Sequence, residues 1–203
     1  ILGLCQSLLK HPKSIDAQFV NLNVSMMQKS GERLLALVNQ ILDAAKIVQA
    51  PIEIHESKEN LDNVLCELVL AYQPLAKEKQ LDLRVISSPQ IFEVVLDSDK
   101  FIQIVTNILG NALEHTENGY IEIRSILQGE TIDIEIEDTG SGISDELQEV
   151  VFEPFLKYST NAQAAGLGLS ISKKIIESHG GNLSLSQSNN NTEFVITLPL
   201  SKY

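Results

Sequence analysis

The segment from Thr131 to Ile143 limits most strongly what this chain can fold into. Apolar and acidic residues alternate over 131–137, which is the pattern of a β-strand with one buried face. The strand leads directly into the turn Asp138-Thr139-Gly140-Ser141-Gly142-Ile143. The strand fixes Asp138, and the two glycines let the backbone pass close to a flat ligand without a Cβ in the way. We therefore predict that Asp138 presents a carboxylate to a cleft, although an isolated turn of this kind is usually ordinary.

Composition excludes several classes of protein. The chain has 203 residues and a formal net charge of −12 at pH 7, which argues against general nucleic-acid binding. No apolar run reaches membrane-spanning length, so we expect no direct membrane contact from this segment. The two cysteines lack metal or disulfide spacing, which indicates a reducing, cytoplasmic location. Residues 1–4 resemble the middle of a helix, so we expect a fragment of a longer protein that could itself be anchored in a membrane.

Residues 1–50 carry a helical pattern that His11-Pro12 interrupts. Two adjacent apolar stripes follow, which make a wider apolar face than one partner helix needs. We therefore predict a helical hairpin that forms a four-helix bundle as a homodimer. The alternative is that the hairpin packs on the rest of its own chain. The stripes are Leu34, Leu37, Ile41, Ala44, Val48 and Leu35, Val38, Leu42, Ala45.

The remaining chain, 51–203, mixes helical and strand patterns and is predicted to be an α+β domain. Pro51 to Asn60 is predicted to be a connector with one short strand. Asn60 and the stretch Asp97-Ser98-Asp99 are candidate helix caps. Residues 152–165 lack periodicity and are predicted to form a mobile loop. Helices are predicted at 61–79, 100–116, about 145–151 and from 166 or 167 to Gly180-Gly181, and strands at 81–86, 91–96, 120–127, 131–137, 183–186 and 194–198.

One polar stripe runs along the otherwise apolar helix predicted at 100–116. It consists of Gln103, Asn107, Asn111 and Glu114, at steps of four, four and three residues, and so lies on one helix face. Asparagine is a mediocre helix former, so two at this spacing beside a core are informative. An Asn carbonyl is a hard oxygen ligand that suits Mg²⁺, which keeps waters and shares phosphate oxygens. The alternative is a pair of satisfied buried amides.

A second glycine-rich turn, Gly166-Leu167-Gly168-Leu169, opens the last predicted helix. The free N–H groups and positive end of a helix start can hold phosphates, although close packing alone would also explain the glycines. The order of parts is more specific than any one part. It runs from the Asn-bearing helix through a strand, the Asp138 turn and a mobile loop to the glycine-rich helix start.

These parts resemble the transmitter region of sensor histidine kinases, whose ATP-binding domain has the Bergerat-type α/β sandwich shared with DNA gyrase, Hsp90 and MutL. The resemblance covers nearly the whole chain and implies two domains. Residues 1–50 would be a truncated dimerisation and phosphotransfer hairpin, and 51–203 the ATP-binding catalytic domain. The matching stretches are SGERLLALVNQILDAAKI for the second hairpin helix, DSDKFIQIVTNILGNALEHT for the N box, DTGSGI for the G1 box, FEPFLKYS for the F box and GLGLSISKKIIESHGG for the G2 box.

The resemblance implies ATP and Mg²⁺ as ligands and gives roles to individual residues. Asp138 would accept a hydrogen bond from the adenine amino group, and Gly140 and Gly142 would line the base pocket. Asn111 would coordinate Mg²⁺, with Asn107 beside it. Lys157 in the lid, 152–165, and the N–H groups of Gly166 and Gly168 would lie near the phosphates. The full implied ATP-binding set is Asn107, Asn111, Glu114, His115, Asp138, Gly140, Gly142, Ile143, Lys157, Gly166, Leu167, Gly168 and Leu169.

The resemblance also implies a protein-histidine kinase activity in two-component signalling. The γ-phosphoryl of ATP would pass to a histidine and then to an aspartate of a response-regulator receiver domain. In gyrase-like ATPases the position of Asn107 is a glutamate that activates water. An amide cannot take that proton, so Asn107 favours a kinase over an ATPase.

Three features depart from the family pattern. None of His11, His55, His115 and His179 is followed by an acidic residue and a Thr/Asn-Pro pair, so the phosphoacceptor is absent and this chain alone is not expected to autophosphorylate. Ala164-Ala165 replaces the usual Gly-Thr, and Glu114 replaces the usual lysine. These last two departures favour an alternative function, a degenerate kinase that serves as a nucleotide-binding or dimer-scaffold module without catalysis.

Overall fold

The computed structural model describes residue 18 and residues 20–28, 30–31, 52–86, 93–154, 166–188 and 191–200. Residues 20–28 are helical. Both apolar stripes of the predicted hairpin lie outside the described residues, so the dimeric four-helix bundle stays a prediction. Lys157 and Ala164-Ala165 of the predicted lid also lie outside them. None of the helices in the described part of the chain is long and apolar enough to span a bilayer.

Between residues 52 and 200 the described chain contains seven strands and four helices. In chain order they are β1 (Ser57–Asn60), α1 (Leu61–Glu78), β2 (Asp82–Ile86), β3 (Glu93–Leu96), α2 (Ser98–His115), β4 (Tyr120–Gln128), β5 (Thr131–Asp138), α3 (Asp145–Gln148), α4 (Gly168–Ser178), β6 (Asn182–Ser188) and β7 (Asn191–Pro199). Each predicted helix and strand of this region is present, with ends that differ from the prediction by up to three residues. The hydrogen-bonded caps are also as predicted, since Asn60 accepts from Asn63 N and Asp97 from Lys100 N.

Five strands form one mixed sheet in the order β2-β4-β5-β7-β6. The β2–β4 pair is parallel and the other pairs are antiparallel, while β1 and β3 form a separate antiparallel pair. The alternation that predicted β5 decides which face is buried. Ile132, Ile134 and Ile136 are almost fully buried on one face, and the acidic residues between them lie on the other.

Three helices cover the apolar face of the sheet, and α2 is the central one. It contacts α1, α4 and β5, while α1 packs on β2 and α4 on β6. Its buried residues are Phe101, Ile104, Val105, Ile108, Leu109, Ala112 and Leu113. A mixed sheet with its helices on one face is a two-layer α/β sandwich, which agrees with the predicted α+β class.

The other face of the sheet is polar and has Arg124 at its centre. The Arg124 guanidinium lies 3.1 Å from a Glu122 oxygen, 3.0 Å from one of Glu135, 3.0 Å from one of Glu137 and 2.8 Å from one of Glu193. These glutamates come from three neighbouring strands, β4, β5 and β7. Arg124 therefore joins the three strands through charge on the face that the helices do not cover.

We predict that Arg124→Met lowers the free energy of unfolding by about 2 kcal/mol at neutral pH, because four carboxylates lose the cation they share. Burial alone would raise the pKa of Glu137, but hydrogen bonds from Asn191 and Tyr120 and the Arg124 charge hold that pKa below its ordinary 4.5. Such a carboxyl contributes stability above pH 4.5 that is lost as the pH falls through its folded pKa. The deficit of the variant should therefore shrink in acid.

Urea unfolding of the parent and the variant at neutral and acidic pH measures this deficit. Arg124→Lys is the matched control, since an ammonium keeps the charge but cannot contact all four glutamates at once, and it should recover part of the loss. Equal stability of parent and Arg124→Met at neutral pH would show that the four glutamates are already solvated.

Candidate functional site

The polar stripe of α2 faces the start of α4. Gln103, Asn107 and Asn111 are half-buried, whereas Glu114 is exposed. Asn107 Nδ2 donates to the Gly168 carbonyl at 3.4 Å and to Ser172 Oγ at 3.2 Å. The structure therefore brings together Asn107 and Gly168, which are 61 residues apart in the chain. It also shows that Asn107 is in part a satisfied core amide.

These contacts decide how the Asn107 amide is turned. A carbonyl only accepts, so Nδ2 must face Gly168 O, and Oδ1 takes the other side of the amide. Ser172, which is fully buried, accepts the second hydrogen bond from Nδ2 and is absent from the sequence-predicted set. Its spacing was available as a signal, because Ser172 lies four residues after Gly168 and so on the same helix face.

The first turn of α4 is built without a side-chain cap. Its N-cap residue, Leu167, makes no side-chain capping hydrogen bond, and Gly166 before it has a φ of 66°. Leu169 is buried, and a Cβ on Gly168 would lie 3.4 Å from Asn107 Cγ. The N–H groups at the start of this 11-residue helix are therefore not capped by Leu167 and can bind an anion.

Asp138 lies at the end of β5 and is only 5% exposed. Its Oδ1 accepts from Gly140 N at 2.9 Å and from Thr116 Oγ1 at 3.4 Å. Both donors bind Oδ1, so Oδ2 has no hydrogen-bond donor among the described residues. No buried side-chain polar atom of the described residues lacks a partner, so Oδ2 lies on the accessible side of the carboxylate, where a ligand can donate to it.

The Asp138 turn packs directly on the C-terminal end of α2. A Cβ on Gly140 would lie 2.6 Å from Asp138 Oδ1 and 2.7 Å from the His115 carbonyl, so only glycine fits there. Ser141 N donates to the same His115 carbonyl at 3.4 Å. His115, which the prediction named without a role, therefore contacts the turn through its backbone.

Two threonines that the sequence prediction missed hold the turn. Thr116 donates to Asp138, and Thr139 Oγ1 accepts from Tyr120 N at 3.0 Å. Gly142 adopts a φ of 72°, which a side chain would strain, and Ile143 packs against the core. The turn is thus fixed at both ends. Gly140 is required because neighbouring atoms leave no room for a Cβ, and Gly142 is required because of its positive φ.

The described start of the predicted lid is anchored to the domain. The Phe152 ring packs edge-to-face against Phe194, with ring centroids 6.3 Å apart, and Lys173 Nζ lies 4.8 Å from the centroid of the Phe152 ring. Lys157 lies outside the described residues, so its predicted place near phosphates stays a prediction.

The possible metal-ligating side chains of this site fit only an ion that takes most of its ligands from outside the protein. Over the described residues, no group of three or more His, Cys, Asp or Glu side chains could hold a metal ion. Asn111 is half-buried one turn beyond Asn107 and offers a single amide oxygen. This fits an ion that takes its other ligands from water and phosphate, as Mg²⁺ does, and does not fit an all-protein cage.

A family model described as "Histidine kinase-, DNA gyrase B-, and HSP90-like ATPase" matches residues 96–202, just over half of the chain. The chain belongs to this family. Within it, the similar proteins are named sensor histidine kinases, which supports the histidine kinase branch of the family.

The chain is 31% identical over 210 residues to the autoinducer 2 sensor kinase/phosphatase LuxQ of Vibrio cholerae, with 98% of this chain and 24% of that protein covered. It spans about a quarter of the length of that relative. Among solved structures, full-length ShkA in complex with AMPPNP matches with a TM-score of 0.81 and 25% identity, over 98% of this chain and 42% of that one. The histidine kinase ThkA in complex with the response regulator TrrA has the same fold, with a TM-score of 0.71 and 23% identity over 98% and 57%.

We predict that Asp138→Asn is at least as stable as the parent without nucleotide, by up to about 1 kcal/mol at neutral pH. Burial raises the pKa of Asp138, and the hydrogen bonds from Gly140 and Thr116 offset this only in part. A carboxyl with a raised folded pKa contributes most to stability below its ordinary 3.8, and that contribution is lost as the pH rises through the folded pKa. Asparagine keeps the Oδ1 acceptor without the charge.

Thermal unfolding of both proteins from acid to neutral pH tests this, and the gain should vanish below pH 3.8. Asp99→Asn, at an exposed position in the first turn of α2, is the control and should gain nothing. A large loss of stability in Asp138→Asn would mean that the ionised carboxylate is stabilised by a partner that its two donors do not explain.

Proposed function

We propose that this chain binds ATP with Mg²⁺ and holds the γ-phosphoryl group for transfer to a histidine outside this chain. The phosphoryl would then pass to an aspartate of a response-regulator receiver domain. The observation that carries the proposal is Asp138, a buried carboxylate with one oxygen held by protein donors and the other without a donor among the described residues.

Asp138 is the proposed acceptor for the adenine amino group. Burial removes competing water and strengthens a hydrogen bond to a ligand. Gly140 leaves no side chain beside the carboxylate, and Gly142 and Ile143 continue the wall of the base pocket. The proposed pocket is thus a narrow cleft for a flat base, and Asp138 is the one acceptor that would recognise adenine.

The phosphates are proposed to lie between α2 and the start of α4. The N–H groups of Gly166, Leu167, Gly168 and Leu169 supply partial positive charge, which an acidic chain needs in order to hold a polyanion. Asn111 would hold the Mg²⁺, which neutralises phosphate charge and orients the γ-phosphoryl group. Catalysis of this kind relies on positioning rather than on covalent chemistry by the protein.

Asn107 supports a kinase rather than an ATPase. Its amide is bound to Gly168 O and Ser172 Oγ and has no basic atom that could take a proton from water. The γ-phosphoryl would therefore wait for a separate nucleophile, a histidine imidazole. ThkA, which shares the fold, forms a complex with a response regulator, and this supports a receiver domain as the partner here. Homodimerisation through residues 1–50 and a cytoplasmic location belong to the same proposal.

Asn111→Asp and Asp138→Asn should each weaken Mg²⁺-dependent binding of ATP or ADP. The first alters the charge and geometry of the metal ligand, and the second turns an acceptor into a donor facing the adenine amino group. Each should cost about 1–3 kcal/mol, or roughly five- to 150-fold in affinity. Titration with a fluorescent ATP analogue, with and without Mg²⁺, measures the loss.

The matched controls make the same changes at exposed positions. Asn63→Asp on α1 and Asp99→Asn on α2 should bind nucleotide as the parent does. Because Asp138→Asn is expected to remain folded, its loss of binding would be a loss of the site. Unchanged nucleotide affinity in both site variants would remove the assignment. A parent that binds no nucleotide would favour the degenerate scaffold.

Glu114→Lys should tighten ATP binding, because an ammonium replaces a carboxylate one turn beyond the proposed metal ligand. The exposure of Glu114 means that solvent screens its charge, so we expect a gain of about two- to fivefold at low ionic strength and less at high salt. Glu114→Gln should be intermediate. If all three proteins bind ATP equally at every salt concentration, Glu114 has no influence on the phosphates, and its departure from the family pattern does not weaken the kinase.

A further inference from the structure

Helices α2 and α4 are joined by hydrogen bonds at two separate places. At one, Asn107 meets Gly168 and Ser172 in the first turns of α4. At the other, Asp97, the N-cap of α2, donates its backbone N–H to Nε2 of His179, the C-cap of α4, at 3.0 Å. The helices are therefore antiparallel, and the two places lie about 10–15 Å apart along them. Only the Asn107 contact belongs to the proposed phosphate site.

The two neighbours of His179 decide how its ring nitrogens are used. The side chain is buried, with Nδ1 2.8 Å from the Ile175 carbonyl and Nε2 3.0 Å from the Asp97 nitrogen. A carbonyl only accepts and a backbone N–H only donates, so Nδ1 carries the hydrogen and Nε2 the lone pair. The imidazole thus links the last turn of α4 to the residue that begins α2.

Asp97 is itself held firmly, so this link connects two rigid elements. Its Oδ1 accepts from Lys100 N at 3.1 Å and its Oδ2 from His55 N at 2.9 Å. A displacement of His179 would therefore move α4 relative to α2 rather than simply move Asp97. Because a helix is stiff along its axis, a shift at its C-terminal end also moves its N-terminal turn.

The geometry points to His179 as a positioning residue for the phosphate half of the nucleotide site. By joining the end of α4 to the start of α2, it sets where the α4 N–H groups lie relative to Asn107 and Asn111. This inference rests on the proposed function, and His179 itself touches no ligand. Phosphate binding depends on small displacements of its donors. The adenine half, built from β5 and the end of α2, should not depend on His179.

Two variants separate the two nitrogens of His179. In His179→Asn the amide can still donate to Ile175 O but is too short to reach Asp97, so affinity for AMPPNP should fall about tenfold while affinity for adenosine changes less than about twofold. In His179→Gln the longer side chain can place a carbonyl near Nε2, so both affinities should stay within about threefold of the parent. His55→Asn is the control, since its exposed side chain is replaced while its backbone N–H still binds Asp97.

Isothermal titration with both ligands, on proteins shown to be folded by thermal unfolding, gives the comparison. Equal losses for AMPPNP and adenosine in His179→Asn, or no loss of either, would overturn the inference and leave the proposed function standing. A parent that binds neither ligand would overturn both together. Loss of AMPPNP binding in His179→Gln equal to that in His179→Asn would show that the Nε2 acceptor is not the cause.

The parent protein alone supplies a second test that needs no variant. If the His179–Asp97 contact favours phosphate binding, phosphate binding must favour the contact by the same factor. Hydrogen exchange of the Asp97 amide should therefore slow more with saturating AMPPNP than with saturating adenosine. Equal protection by the two ligands would overturn the inference even if His179→Asn did not fold.

Discussion

The described site depends on the burial of α2. Seven apolar side chains of this helix are packed in the core, and the polar stripe runs along its partly open side. Because that stripe follows the helix axis, anything that binds along it must be elongated. The start of α4 meets the stripe at Asn107, and the Asp138 turn meets the C-terminal end of the helix at His115. A nucleotide, with a base at one end and phosphates at the other, has the shape that this arrangement accepts.

The two ends of the site use electrostatics in opposite ways. At the base end, burial raises the pKa of Asp138, so the fold gives up stability to keep an acceptor out of water. At the phosphate end the described groups are amides and backbone N–H groups, whose dipoles cost little to bury when hydrogen-bonded. This division would let a strongly acidic chain bind a polyanion, because local dipoles and the proposed Mg²⁺ would act at short range while the distant carboxylates are screened by salt.

Local sequence signals predicted the helices and strands of the described domain. They did not predict the contacts between residues that lie far apart in the chain. Alternation predicted β5, and side-chain chemistry predicted the Asn60 and Asp97 caps, because each signal lies within a few residues. Ser172 was missed because no local pattern tells which face of α4 meets Asn107. Thr116, the C-cap of α2, was missed for a similar reason, since its partner Asp138 ends strand β5. Glu114 is exposed because it lies where the polar stripe extends beyond the buried part of α2. The helical period places Glu114 on this face but does not predict where the burial ends.

The chemistry of the described site is that of binding, and this bears on how the proposed reaction would be controlled. Asn107 offers no basic atom for water attack, and its amide is already engaged by α4. Bound ATP would therefore persist until a nucleophile from elsewhere reaches the γ-phosphoryl group. Under the proposed function, affinity and turnover would be set by different parts of the protein. Helices α2 and α4 and the Asp138 turn would fix the nucleotide, while access of the acceptor would fix the rate. A signal that moves the acceptor can then change the output without changing the affinity for ATP.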